Sequence, residues 1–283
     1  MNTVANGAPT DLQIEVPQIG AVALRVHESG TAGRADPIAL HLHGGAFTCG
    51  CATLPSPLVA SLLAAGARVV SLQYPLAPAQ PFPAAPEAAY AALAWIDRER
   101  ARLGRSRRAP LFVAGEEAGG TIAAAAALMA RDRGEPALAG SILLAPMLDP
   151  CVGTASLRHR KAGAFGCKWA DGWAQYLRNP CDADHPYAVP ALARRQQDLP
   201  RTLLVSADDD PMRDETGAYA TRLRAAGVDA TMLRLPGPTG WPCSLADCAR
   251  HAAHWRAPLV DGLRQFMNRG QGRDRAATHA AAS

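Results

Sequence analysis

Two adjacent glycines stand directly after an apolar run that is typical of a strand, in the stretch His43-Gly44-Gly45-Ala46-Phe47. Glycines in such a turn let backbone N–H groups face a developing anion, the arrangement that stabilises the oxyanion of an acyl-transfer reaction. The alternative is a plain glycine-containing turn. The stretch predicts an anion-binding loop built around His43, Gly44 and Gly45.

A second stretch, Gly115-Glu116-Glu117-Ala118-Gly119-Gly120, lies between a predicted strand and an alanine-rich helix. This context suits the sharp strand-to-helix turn of form G-x-S-x-G, whose serine is the attacking nucleophile. Glu117 holds the position of that serine. The small residues around it are retained, so we expect the turn to form, with the Ala118 N–H facing the anion-binding loop.

Three consecutive aspartates, Asp208, Asp209 and Asp210, follow another predicted strand. A carboxylate at the carboxyl end of a strand is where a catalytic triad of this kind holds its acid. The spacing therefore predicts that Asp210 lies at the same edge of the sheet as Glu117.

The elements that position these residues alternate along the chain. Because the predicted strands are continuously apolar, they indicate an α/β fold with a mostly parallel, twisted sheet covered by helices on both faces. The predicted strands are residues 20–27, 37–41, 68–73, 110–114, 141–144, 201–206 and 230–235, and the predicted helices are 57–65, 86–102, 119–131, 214–226 and 246–267.

Length and composition predict one domain over residues 1–283, since 48% of the residues are hydrophobic and 19% are charged. Residues 150–199 interrupt the alternation with several glycines and prolines and two tryptophans, which predicts an inserted cap or lid. Residues 268–283 are small and polar and are expected to be disordered.

The charge pattern and the cysteine content indicate which binding partners and which cellular compartment to expect. The net charge is +4, but the arginines are scattered, which argues against nucleic-acid binding. No apolar run reaches the roughly 18 residues that a membrane helix needs, and residues 1–13 lack the features of a signal peptide. Seven cysteines in a chain of this length indicate reduced thiols and a cytoplasmic protein.

Taken together, these motifs resemble the hormone-sensitive-lipase-type branch of the α/β-hydrolases, the bacterial esterase/lipase group. The likeness runs from about residue 20 to residue 268. It includes Tyr74-Pro75-Leu76-Ala77-Pro78, similar to Y-R-L-A-P, and Asp210-Pro211-Met212-Arg213-Asp214-Glu215, similar to D-P-L-R-D-E. The resemblance implies an α/β-hydrolase fold with Asp210 as the triad acid. It also implies pairing of two copies through the last strand and helix.

Two departures from the family pattern bear on function. Glu117 replaces the nucleophilic serine, and Gly240 takes the place of the catalytic histidine in Pro236-Gly237-Pro238-Thr239-Gly240-Trp241, which resembles P-G-M-x-H-G-F. Nucleophile and base are both absent, so the family mechanism predicts a pseudoenzyme that binds a small ligand or a protein partner. We expect the Glu117 carboxylate to occupy the oxyanion hole, with Gly44, Gly45 and Ala118 as donors that lower its pKa.

Other chemistries remain open from the sequence. Glu117 is a candidate general acid or base of a lyase, isomerase, cyclase or dehydratase. Ester hydrolysis through a relocated histidine is a further alternative, with His251 and His254 on a predicted helix as candidates. The thiols Cys49, Cys51 and Cys243 are alternative nucleophiles without an assignable histidine.

Metal and cofactor sites are less favoured. His41 and His43 with Cys49 and Cys51 have the residue types of a zinc site, and Glu116, Glu117 and the aspartates 208–210 have those of a Mg²⁺ or Ca²⁺ site. The sequence lacks the glycine motifs of nucleotide binding. We therefore expect no cofactor and no metal.

Overall fold

The strands of this computed structural model, which describes residues 8–28, 36–158, 163–241 and 254–269, form one eight-stranded sheet in the order β1-β2-β4-β3-β5-β6-β7-β8. β1 pairs antiparallel with β2 and β2 antiparallel with β4, whereas all other neighbours are parallel. The strands are β1 (Thr10–Val16), β2 (Gly20–His27), β3 (Ile38–Leu42), β4 (Arg68–Leu72), β5 (Leu111–Glu116), β6 (Gly140–Leu144), β7 (Thr202–Ala207) and β8 (Ala230–Leu235).

The helices cover the sheet and connect its parallel strands. They are α1 (Pro57–Ala64), α2 (Ala84–Arg98), α3 (Arg100–Leu103), α4 (Ala118–Arg133), α5 (Ala155–Arg158), α6 (Gly163–Tyr176), α7 (Arg213–Ala225) and α8 (Arg256–Asn268), with 3₁₀ turns at Pro180–Asp184 and Pro190–Leu192. Within the described residues, no helix is long and apolar enough to cross a lipid bilayer.

The predicted α/β fold and its seven strands are confirmed, with shifts of one or two residues at most strand ends. The additional strand β1 escaped prediction because only Ile14 and Val16 are buried in it, as befits an edge strand with one exposed face. The predicted helix 86–102 is two helices, which divide at Glu99. Of the predicted helix 246–267, residues 246–253 lie outside the described residues, residues 254–255 form a turn, and α8 follows from Arg256.

The core lies on both faces of the central strands. Every residue of β3, β4, β5, β6 and β7 is buried, which explains their continuously apolar sequences. α4 is buried all round from Ala118 to Ala130, and its run of alanines suits a helix enclosed on every side. This rigid β5–α4 unit holds the turn at Glu117.

The predicted cap segment, residues 150–199, contains α5, α6 and both 3₁₀ turns. From α6, the aromatic side chains of Trp173 and Tyr176 are buried and pack against Phe47, with ring centroids 4.8 and 4.1 Å apart. A Cβ at Gly172 would overlap the carbonyl oxygen of Ala46, so glycine lets α6 lie directly on the loop after β3. The predicted disordered tail lies mostly outside the described residues, although its first residue, Asn268, ends α8.

Candidate functional site

The predicted sharp turn between β5 and α4 is present. Glu117 has φ 53° and ψ −120°, a conformation that side chains seldom adopt. Its backbone N–H donates to the Leu144 carbonyl at 3.1 Å, and its own carbonyl accepts the N–H of Met147 at 3.0 Å. A Cβ at Gly119 would overlap the carbonyl oxygens of Leu42 and His43, so the turn needs glycine there. Glutamate in place of serine leaves the turn intact.

The loop that follows β3, residues 43–49, is here called the glycine loop. His43 stacks on Tyr74 with ring centroids 4.2 Å apart, and its Nδ1–H donates to the Gly44 carbonyl at 2.7 Å. Burial lowers the pKa of His43 to about 4, so this imidazole is neutral at physiological pH. The Tyr74 hydroxyl donates to the His43 carbonyl at 2.8 Å, which braces the loop against the core.

The Glu117 carboxylate points into the glycine loop and contacts two donors. The Gly45 backbone N–H donates to Oε2 at 2.7 Å, and the Trp169 indole N–H donates to Oε1 at 2.6 Å. A Cβ at Gly44 would stand 2.6 Å from the same Oε2, so the missing side chain of Gly44 makes room for the carboxylate. The residue at the serine position therefore occupies the space in front of the predicted anion-binding loop.

Of the three donors expected from the sequence, Gly45 is the one that contacts the carboxylate. Trp169, from α6, is a contact of the Glu117 carboxylate that sequence reasoning missed. No local motif marks it, because it reaches Glu117 only when α6 folds over the glycine loop. The tryptophans of the inserted segment were the sole hint.

The expectation of a lowered Glu117 pKa is wrong, because burial raises the pKa of this carboxyl above its usual value. The hydrogen bonds from Trp169 and Gly45 and the charge of Lys168 act in the opposite direction, and they are outweighed. The charge of Glu116 adds to the raising effect. The loss of solvation therefore destabilises the ionised form more than the hydrogen bonds from two neutral donors stabilise it.

Asp210 lies just after β7, at the strand end where it was expected. Its side chain is 2% exposed, and its oxygens accept hydrogen bonds from Ser206 Oγ at 2.7 Å and the Met212 N–H at 2.9 Å. Burial raises the pKa of Asp210 to about 6. Both oxygens of this carboxyl are thus engaged by neutral donors.

The loop that carries Gly240 is fastened by the neighbouring acid, Asp209. The Asp209 carboxylate accepts the backbone N–H groups of Thr239 at 2.7 Å and Gly240 at 2.9 Å, together with the Thr239 hydroxyl at 3.0 Å. Gly240 has φ 71°, a conformation that favours glycine. The loop is therefore held by its backbone, without an imidazole at its tip.

Some of the residues considered as a replacement base or nucleophile lie within the described part of the chain, and others lie outside it. His254 lies in the turn before α8 rather than on the predicted helix, and its Nε2–H donates to the Pro236 carbonyl at 3.0 Å. His251 and Cys243 lie outside the described residues. Among the histidines that the structure describes, none forms a hydrogen bond or ion pair with Glu117 or Asp210.

The remaining candidate ligands serve other contacts. The carboxylate of Glu116 is buried, where Ser56 Oγ donates to it at 3.1 Å and His41 Nε2 lies at 3.7 Å. Cys49 is a free thiol that donates to the Gly45 carbonyl at 3.2 Å, and Cys51 is a free thiol beside Thr53. Across the described residues, no group of three or more metal-ligating side chains is assembled for a metal ion.

The raised pKa of Asp210 predicts a measurable pH dependence of stability. Ionised Asp210 costs folding free energy above pH 6, and this cost disappears as the pH falls toward the unfolded-state pKa near 4. The D210N variant lacks the titration, so its stability relative to the wild type should fall by roughly 2 kcal/mol between pH 8 and pH 4.5. Urea unfolding at both pH values measures the difference. A D171N variant at the exposed Asp171 is the control, and a constant D210N difference would contradict the assignment.

Comparison with known proteins places the chain in a family. The family model described as "alpha/beta hydrolase fold" matches residues 39–239. The chain is 32% identical over 268 residues to the carboxylic ester hydrolase LipN of Mycobacterium tuberculosis, covering 92% of this chain and 71% of LipN. It is 33% identical over 206 residues to the carboxylesterase NlhH of the same species, covering 71% of this chain but only 64% of NlhH.

Solved structures of esterases are also similar to this chain. A thermostable esterase from Pseudomonas putida superposes with a TM-score of 0.79 at 27% identity, covering 94% of this chain and 83% of the esterase. The carboxylesterase EstE1, cloned from a metagenomic library, gives a TM-score of 0.77 at 29% identity, covering 93% of this chain and 90% of EstE1. The resemblance to esterases and lipases that the motifs predicted is confirmed, and the chain belongs to the α/β hydrolase family.

Proposed function

We propose that this α/β hydrolase does not cleave esters by the serine mechanism and instead binds a small ligand or a protein partner at the site around Glu117. The observation that carries the proposal is the hydrogen bond from the Gly45 N–H to Glu117 Oε2. We interpret the Gly45 N–H as a donor of the oxyanion hole, so the carboxylate takes the place of the anion that the hole stabilises in an esterase.

Acyl transfer by this fold needs a nucleophile, a base beside it and a third group that orients the base. Of these three groups, the one that orients the base is retained, because Asp210 holds its position. If Glu117 itself attacked an ester, an activated water would have to clear the covalent intermediate. No base for that water is provided by the described histidines, so a covalent intermediate would not turn over.

The proposal is tested by measuring hydrolysis of p-nitrophenyl acetate, with NlhH as the active comparison. We expect the purified protein to release nitrophenolate at the uncatalysed rate, and the E117A variant to do the same. Turnover that exceeds background and disappears in E117A would overturn the proposal. Turnover that disappears instead in an H254A variant would support the relocated-base alternative.

A second candidate function is favoured by the raised pKa of Glu117. A carboxyl group whose pKa is raised holds a proton more readily near physiological pH, so Glu117 can serve as general acid or base of a lyase, isomerase, cyclase or dehydratase. Titration of the side-chain carboxyl by ¹³C NMR separates the two candidates. A pKa near 7 would support proton transfer, whereas a pKa only slightly above the usual value of 4.5 would support the inert carboxylate.

The same proposal includes a cytoplasmic location and a site that works without a cofactor. The five described cysteines are free thiols, which suits a reducing compartment. Association of two copies is part of the proposal as well, and sedimentation analysis of the purified protein tests it.

A further inference from the structure

The Glu117 carboxylate is a partly buried negative charge whose contacts are both neutral. Gly45 and Trp169 donate one hydrogen bond each, and each carboxylate oxygen can accept more than one. Within the described part of the chain, no arginine or lysine forms an ion pair with Glu117. Lys168 is exposed and acts on it only through its longer-range charge. Among the residues that the structure describes, this charge therefore has no contacting counter-ion.

Glu117 is also partly exposed to solvent. A ligand that carries a carboxylate or develops an oxyanion would find the Gly45 donor already occupied and would meet a like charge. A ligand that carries a cation would instead pair with the carboxylate and replace part of the solvation that burial removes. The electrostatics of the site therefore favour a positive ligand over a neutral or negative one.

From this we propose, on the basis of the non-hydrolytic function above, that the site binds the primary ammonium group of a small organic molecule against Glu117. A primary ammonium has three N–H donors for the acceptor positions that Gly45 and Trp169 leave open, whereas a quaternary ammonium has none. The neutral state of His43 means that the glycine loop does not repel the cation.

Isothermal titration calorimetry at pH 7.5 with n-butylammonium, 1-butanol, butyrate and tetramethylammonium tests the proposal. We expect saturable binding of n-butylammonium by the wild type, and binding of the other three weaker by about tenfold or more. In the isosteric E117Q variant the preference should be lost, whereas E135Q, which removes an exposed carboxylate elsewhere, should bind as the wild type does. The E117D variant should keep the preference for ammonium over alcohol, which guards against misfolding of E117Q.

Proton linkage supplies a second readout. Bound ammonium stabilises ionised Glu117, so the affinity should fall as the pH is lowered through the pKa of this carboxyl. Equal binding of butanol and butylammonium, equal affinity in E117Q, or no saturable binding of butylammonium by the wild type would each overturn the proposal. Failure here is distinguishable from failure of the proposed function, because ester hydrolysis and charge-selective binding are separate measurements.

Discussion

A double variant, E117S/G240H, should hydrolyse p-nitrophenyl acetate about 10²- to 10⁴-fold faster than the wild type. Serine at position 117 would place its hydroxyl on the turn after β5 and release the Gly45 N–H that the carboxylate now occupies. Histidine at position 240 would supply a base on the loop that Asp209, the neighbour of Asp210 in the chain, holds by hydrogen bonds. General-base catalysis typically contributes a factor of this size. Initial rates at pH 8 measure the gain.

The single variants are the controls for this experiment. E117S alone should remain at the wild-type rate, because no base accompanies the new hydroxyl, and G240H alone should remain there because no hydroxyl is present. Histidine at φ 71° costs roughly 1–2 kcal/mol of stability, so folding of each variant is verified by its melting temperature. If the double variant folds but does not hydrolyse p-nitrophenyl acetate faster, residues other than 117 and 240 also prevent esterase activity in this chain.

The G119A variant should destabilise the protein by about 3 kcal/mol. The added Cβ would overlap the carbonyl oxygens of Leu42 and His43, which belong to backbone at the end of β3 and cannot rotate away. A Cβ at Gly115 would in turn overlap the carbonyl oxygen of Gly119, so α4 lies directly against β5 at this point. Urea unfolding measures the change in the free energy of unfolding.

Gly217 provides the matched control for G119A. It lies within α7, and a Cβ added there meets nothing within 4 Å. G217A should therefore stabilise the protein by about 0.5–1 kcal/mol through helix propensity. Equal and small effects of the two variants would contradict the close approach of α4 to β3.

The parallel sheet could be predicted because its central strands are buried on both faces and consist of apolar residues. The edge strand β1 escaped a search for continuously apolar runs, because its apolar Leu12, Ile14 and Val16 alternate with polar residues, the pattern of a strand with one exposed face. The division of α2 from α3 at Glu99 also escaped prediction, since the sequence there contains neither proline nor glycine. Local composition thus predicts the buried elements better than the peripheral ones.

The backbone of the site was predictable from the sequence, whereas its electrostatics were not. Glycines at 44, 45 and 119 predicted the loop after β3 and the sharp turn at Glu117, and the structure contains both. The contact of Trp169 with Glu117 depends on how α6 folds over the glycine loop, which no local pattern encodes. The direction of the Glu117 pKa depends on how much solvent is excluded, and that follows from the tertiary structure alone.

The most direct test of the account is a high-resolution crystal structure of the wild-type protein at pH 7.5. It should show the Glu117 carboxylate about 2.7 Å from the Gly45 nitrogen and 2.6 Å from the Trp169 indole nitrogen. A water molecule at the Gly45 nitrogen with Glu117 turned away would contradict the account. An imidazole ring between Glu117 and Asp210 would contradict it as well.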